Sequence, residues 1–295
     1  MKCIKTLSLF LLTISLTGCN STSYKPKELD PDKAYDNVYL IMGQSNASGC
    51  SYYQYLETLE PELYAKYNTG NNDVLITYDC DDRLEYNYLP TQFGFGHDED
   101  CFGPEIGMAE VLSEQEGTSY IIKATFSATG LMSHYVSPKN KKKLSLYKRF
   151  LKFITTQLKA LEAQGKNPRV RGVFWMQGES DTFLEHPEKY GQAQELFVKY
   201  LRHDLNKWIY DHFNFVDAYI FTRGICWVNP EIINDAKQKF ADENEHCYCI
   251  KTNGEDETAI KLYLKCETNE GDDLAHYDSS SMVLLGKTAG QLIIK

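Results

Sequence analysis

Five short apolar runs, over residues 38–42, 74–78, 120–126, 170–176 and 218–222, alternate with longer stretches in which apolar residues recur at threes and fours. No other feature limits the fold so narrowly. The runs are continuous in β-branched and aromatic residues, the pattern of strands buried on both faces. The stretches 105–113, 146–163, 187–210 and 230–243 have helical spacing, and Phe150, Phe153, Ile154, Leu158 and Leu161 share one side of the second. Pro187 and Pro230 stand where a first helical turn tolerates proline. Strand and helix in alternation imply right-handed crossovers and a mostly parallel sheet with helices on both faces, a three-layer α/β/α sandwich. Ligands of such sheets bind at the carboxyl ends of the strands. That places the loops after Met42, Phe126 and Met176 on one rim.

The sheet pattern begins only near Asn37. Before it, Lys2 and Lys5 precede an apolar stretch at 7–16 of about ten residues, half of the roughly 20 that a membrane span needs. This reads as a secretion leader, and 16-LTGC-19 resembles a lipobox, which implies cleavage before Cys19 and a lipid on that cysteine. The expected organisation is a leader over 1–18, a polar lipidated tether over 19–36 and one domain over 37–295, held at the cell envelope on the extracytoplasmic side of a membrane. Loss of residues 1–18 removes two lysines and no acid, which carries the formal charge from −10 to −12. Such a surface repels nucleic acid and anionic headgroups. The run Lys139, Lys141, Lys142 and Lys143 is too short to reverse this and reads as a solvated loop.

Nine cysteines become seven once Cys3 leaves with the leader and Cys19 is acylated. An extracytoplasmic compartment permits disulfides, and a Cys80–Cys101 bridge is expected to brace a tyrosine-rich loop. No C-x-x-C occurs, Cys247 and Cys249 point to one side of a strand, and the acids of 79–100 lack EF-hand spacing. Neither a metal nor an organic cofactor is expected.

Three short segments carry chemistry. In 43-GQSN-46, Ser45 ends a buried strand and is presented at the rim among backbone N–H groups, as an activated nucleophile requires, although a serine there can also simply cap a helix. The turn lacks the second glycine of a Gly-x-Ser-x-Gly elbow. In 273-DLAHYD-278, Asp273 and His276 are three residues apart, so the carboxylate reaches Nδ1 and leaves Nε2 as a base. The third segment is 175-WMQGESD-181.

G-Q-S-N, Gly103-Pro104-Glu105, W-x-Q-G-E-S-D and D-x-x-H in this order resemble the SGNH hydrolases, and within them the carbohydrate O-acetylesterases that include sialate O-acetylesterases and acetylxylan esterases. The resemblance covers roughly residues 37–292. It implies a flavodoxin-like sheet and a serine esterase that removes acetyl groups from an acetylated glycan. It also implies Ser45 as nucleophile, His276 as base, and Asp273 or Glu179 as the acid behind the base. The oxyanion donors it implies are the N–H groups of Ser45 and Gly103 and the amide of Gln177. Gln44, Asn46, Thr129 and Gly130 are expected against the substrate. The family's Gly-Gly-Thr turn reads here as 127-SATGL-131, with Ala128 in place of a glycine.

Tyr52, Tyr53, Tyr55, Tyr64, Tyr67, Tyr86 and Tyr88, set among acids, suit either packing under an insertion or a glycan platform. His97 and His134 lie near the rim, and Lys123 and Arg223 are the cations that a sialic acid would call for. The rival readings are a surface lipoprotein that holds glycan without cleaving it, and an esterase for lipid or short-chain esters.

Overall fold

A computed structural model describes residues 26–136, 145–224 and 226–295. The leader, Cys19 and the 139–143 lysines lie outside the described residues. The first half of the chain runs through β1 (Asp36–Gly43), α1 (Ser45–Ser48), β2 (Ser51–Tyr52), α2 (Tyr53–Leu59), α3 (Pro61–Tyr67), β3 (Asn71–Cys80), β4 (Arg83–Thr91), β5 (Cys101–Phe102) and α4 (Glu105–Leu112). The second half adds β6 (Ser119–Thr125), α5 (Ser145–Ala163), β7 (Pro168–Met176), α6 (Tyr190–Asp204), β8 (Asn214–Ala218), α7 (Pro230–Glu243), β9 (Cys247–Ile250) and α8 (Ser279–Ile293).

Seven strands form one sheet in the order β4-β3-β6-β1-β7-β8-β9, parallel except for β4. Taken in chain order, β1, β6, β7, β8 and β9 lie as 2-1-3-4-5, the flavodoxin-like arrangement, with the β3–β4 hairpin added at one edge. Side chains of β1 alternate between two cores. Val38, Leu40 and Met42 pack with Phe150, Ile154 and Leu158 of α5 and Phe197 of α6, whereas Tyr39 and Ile41 pack with Met108 of α4 and Met282 and Leu285 of α8. Every residue from Val38 to Met42 is at most 1% exposed, which explains the unbroken apolar run.

The differences from the sequence pattern have physical causes. The fifth strand is Asn214–Ala218 instead of 218–222. Its polar residues conceal it: Asn214 Nδ2 donates to Ile293 O at 3.1 Å, and Asp217 pairs with Lys237. Between residues 52 and 100 the strand expected over 74–78 is found as β3, and α2, α3 and the partner strand β4, which had no expected counterpart, stand around it. Pro90 is tolerated because β4 is an edge strand. The helix expected over 187–210 is regular only at Tyr190–Asp204, with 3-10 turns on either side. Residues 27–35, expected within the tether, run along the domain: Asp211 N donates to Lys27 O at 2.7 Å, and the Tyr35 ring packs on Tyr210.

Candidate active site

At the carboxyl end of β1 the chain makes a turn that only glycine permits. Gly43 has φ 143°, and a Cβ there would lie 2.0 Å from Met176 O at the end of β7. The close approach lets Gln44 N donate to Met176 O at 3.0 Å. The next residue, Ser45, opens the four-residue α1, whose first turn closes on Gln44 O through the N–H groups of Ala47 and Ser48, both at 2.8 Å. Ser45 itself is half-buried. Among the described residues neither its hydroxyl nor its N–H is taken by a protein partner.

His276, the candidate base, arrives from the segment between β9 and α8. Lys265 N donates to His276 O at 3.1 Å and Cys266 N to Asp273 O at 3.1 Å, which folds 264–277 into a tight lobe. Within it Asp273 Oδ1 accepts from the N–H groups of Ala275 (2.9 Å) and His276 (3.1 Å), while Oδ2 lies 2.8 Å from His276 Nδ1. Burial alone would push the Asp273 carboxyl up. The hydrogen bond from His276, the Ala275 N–H and the charges of His276 and Lys265 outweigh it and hold the carboxyl well below the usual carboxylate range. An ionised Asp273 keeps the proton on Nδ1, so Nε2 is left as the acceptor.

Ser45 and the Asp273–His276 pair meet in one cavity of about 590 Å³. Gln44, Cys50 and Ala275 line its floor with them, and Ser127, Ala128 and Ser180 come from the loops after β6 and β7. The rest of the wall is Tyr52, His97, Asp98, Cys101, Phe183, Trp227 and Lys265. The mouth is aromatic: Phe183 is 59% exposed and packs edge-on to Trp227 at 5.9 Å.

Several expected site residues stand elsewhere. Glu179 is buried and accepts from Asn46 Nδ2 at 2.9 Å, with no bond to His276. Asn46 in turn donates to Ala275 O and accepts from Tyr277 N, both at 3.3 Å, so it clamps three loops together and is itself off the cavity wall. Gln177 is fully buried, and the two N–H of its Nε2 are shared among Asp181 Oδ2 (2.6 Å), Thr129 O (3.0 Å) and Gln44 Oε1 (3.1 Å). It therefore orients Gln44 and leaves no donor for the cavity. The Gly103 N–H is likewise spent, on Glu105 Oε1 at 2.8 Å. Thr129 and Gly130 lie behind the wall, with Thr129 Oγ1 on Phe126 O and Gly130 N on His134 Nδ1. The neighbouring Ala128, in the left-handed region at φ 55°, reaches the cavity, and its N–H has no acceptor among the described residues. Asp81 holds that turn through Ser127 N (2.6 Å) and Ser127 Oγ (3.0 Å), and also accepts from His97 Nδ1 at 2.9 Å if that nitrogen carries the proton.

Lys123 is buried against Glu105 Oε2 at 2.8 Å, and Arg223 donates to Asn253 O and Leu262 O, so neither faces the cavity. Cys80 and Cys101 are free thiols, with Cys80 Sγ turned toward the carbonyls of Gly96 and Ser48. Lys265, Phe183 and Trp227 had no signal in the sequence, because nothing local ties them to Ser45. His97 and Ala128 could be found by their place next to the rim.

The family model for carbohydrate esterases described as sialic acid-specific acetylesterase matches residues 35–295. The chain belongs to that family. It is thus a carboxylic ester hydrolase, a carbohydrate O-acetylesterase. Among curated proteins none matches the sequence. The family's fold recurs in solved structures of low identity. A protein from Arabidopsis thaliana is similar at TM-score 0.63 and 18% identity, over 88% of this chain and 98% of that one. NanS is similar at TM-score 0.62 and 12% identity, over 88% and 97%. A carbohydrate acetylesterase from Xanthomonas citri gives TM-score 0.51 and 12% identity, over 87% of this chain and 54% of that one.

Proposed function

We propose that the chain deacetylates glycans through an acyl-serine intermediate formed on Ser45. His276 Nε2 takes the Ser45 proton as Oγ attacks the acetyl carbonyl carbon, and Asp273 holds the imidazolium that forms. The oxyanion is met by the N–H groups of Ser45 and Ala128, which replace Gly103 and Gln177 in that role. Loss of one such donor costs about 10²–10³ in rate. Collapse of the tetrahedral intermediate returns the proton to the departing sugar oxygen. Water, deprotonated by His276, then releases acetate and restores Ser45. The observation that carries this reading is the opening of Ser45 and the Asp273–His276 pair onto the same cavity.

The wall favours a neutral acetylated sugar over a sialic acid. Tyr52, Phe183 and Trp227 offer ring faces for sugar C–H surfaces. Among the described residues the only lysine or arginine on the wall is Lys265, whose ammonium already serves Cys50 O and Asp273, and Asp98 adds negative charge. The leader sequence supports a further proposal, that Cys19 is lipidated and tethers the enzyme to a membrane of the cell envelope. Labelled palmitate would enter the wild type and not Cys19→Ser. Among the described residues no helix is long and apolar enough to cross a membrane.

The test is acetate release from acetylated xylo-oligosaccharides, acetylated chito-oligosaccharides and O-acetyl sialosides, by the wild type and Ser45→Ala side by side. Release from the neutral substrates that is lost in the variant is expected. Preference for the sialosides would reverse the substrate reading, and release that survives in Ser45→Ala would reverse the mechanism.

A further inference from the structure

Lys265 is 3% exposed, yet it lines the catalytic cavity. Its Nζ donates to Cys50 O, lies 3.6 Å from Asp273 Oδ2 and stands 4.2 Å from the centre of the Tyr52 ring. These partners come from two sides of the site. Cys50 follows directly on the turn that carries Ser45, and Tyr52 ends β2, whereas Asp273 belongs to the lobe that carries His276. A buried ammonium is costly unless several groups compensate it. Here a carbonyl, a carboxylate and an aromatic face do so together, and each of them belongs to a segment that must be held in register for Ser45 to meet His276.

We propose that Lys265 is a positioning residue that ties the nucleophile turn to the acid–base lobe and sets the charge balance of the Asp273–His276 pair. The inference rests on the serine mechanism proposed above. Asp273 Oδ2 is shared between two partners, the Lys265 ammonium at 3.6 Å and the His276 Nδ1–H at 2.8 Å. The fixed positive charge of Lys265 partly offsets the negative charge that Asp273 presents to the imidazole. It also keeps the carboxylate ionised when His276 is neutral.

The other ionisable groups on the wall do not duplicate this charge. Cys50 and Cys101 are held neutral by burial, the Cys101 thiol being pushed up to about 12, and the Tyr52 phenol is raised by the Cys101 sulfur and by burial. His97 is paired with Asp81, and Asp98 across the cavity carries the opposite sign.

The experiment is the pH dependence of kcat/KM for Lys265→Met and Lys265→Arg beside the wild type, on an acetylated substrate with no charge. For Lys265→Met the expected result is a fall in kcat/KM of about 10- to 100-fold, with the midpoint of its acid limb moved up by on the order of half to one pH unit. Lys265→Arg, which restores the charge, is expected to return the midpoint to within a few tenths of a unit of the wild type. An acid limb that stays in place in Lys265→Met would overturn the proposal and leave Lys265 a purely structural bracket. A rise in KM confined to O-acetyl sialosides, with kcat and the limb unchanged, would also overturn it and assign the ammonium to the substrate's carboxylate. Should Lys265→Met fail to fold, Lys265→Gln takes its place, with the same upward move of the acid limb expected and an unmoved limb again overturning the proposal. Retention of full rate in Ser45→Ala would instead bring down the serine mechanism itself, so the two failures are distinguishable.

Discussion

Replacing Asp273 by asparagine separates the two carboxylates that the sequence offered as support for His276. Asp273 Oδ2 receives Nδ1 at 2.8 Å, and Oδ1 receives the N–H groups of Ala275 and His276 at 2.9 and 3.1 Å. An asparagine side-chain oxygen can keep the two backbone bonds, so the lobe retains its shape. Its NH₂ group then faces Nδ1 and favours the tautomer protonated on Nε2, which cannot accept the Ser45 proton. The expected loss in kcat is about 10³–10⁴, with KM within a few-fold of the wild type. The lost charge also affects stability. A carboxyl held below its unfolded range stabilises the fold above about pH 4, and that contribution disappears as the pH falls through the folded value. At neutral pH a half-buried, hydrogen-bonded charge of this kind is worth about 1–2 kcal/mol after solvent screening, or a few degrees in Tm. The assay is steady-state acetate release at pH 7.5 together with thermal unfolding, for Asp273→Asn and Glu179→Gln in parallel. Glu179→Gln is expected to lose no more than about tenfold in rate, because an amide oxygen can still accept from Asn46. The reasoning is refuted if Asp273→Asn keeps more than a tenth of wild-type kcat while Glu179→Gln loses 10³ or more.

Further outcomes follow from the same contacts. Gly43→Ala forces a Cβ against Met176 O at φ 143°, and about 3 kcal/mol or more should be lost, seen as a lower urea midpoint. Lys237→Met leaves Asp217 buried without its cation and should cost about 3–5 kcal/mol at pH 8. Burial already pushes the Asp217 carboxyl up to about 6 against the pull of Lys237. With the cation gone Asp217 protonates more readily, so the deficit measured by urea unfolding should shrink as the pH is lowered toward 5. Trp227→Ala should raise KM for acetylated oligosaccharides several-fold and leave KM for a small aryl acetate nearly unchanged, because only the larger substrate reaches the aromatic mouth.

The fold was legible wherever burial on both faces made the chain uniformly apolar. The run 38–42 and the helix around Phe150 stand in the structure where their periodicity put them. Strand β8 was displaced by four residues in the reading because Asn214 and Asp217 are buried polar residues, satisfied by partners 79 and 20 positions away that no local pattern encodes. Ser45, Asp273 and His276 each lie in a short segment with its own chemistry, and the structure brings those segments to one cavity. The supporting residues were harder to assign, since an amide or a carboxylate near a strand end serves equally well as an oxyanion donor or as a clamp. In the structure Gln177 Nε2 bonds to Asp181 and Glu179 Oε1 to Asn46, contacts that no local pattern encodes. Lys265 was invisible for a related reason: its two polar partners, Cys50 and Asp273, are 215 and eight residues away and meet it only after the lobe has closed.

The central claim is that Ser45 is the group acylated by substrate with His276 as its base. Mass spectrometry of the protein after treatment with an alkyl fluorophosphonate tests it most directly. One adduct is predicted, on the peptide that contains Ser45, forming in the wild type and slowed by at least 10³ in His276→Ala. An adduct on any other residue, or labelling of Ser45 at an equal rate in both proteins, would contradict the account.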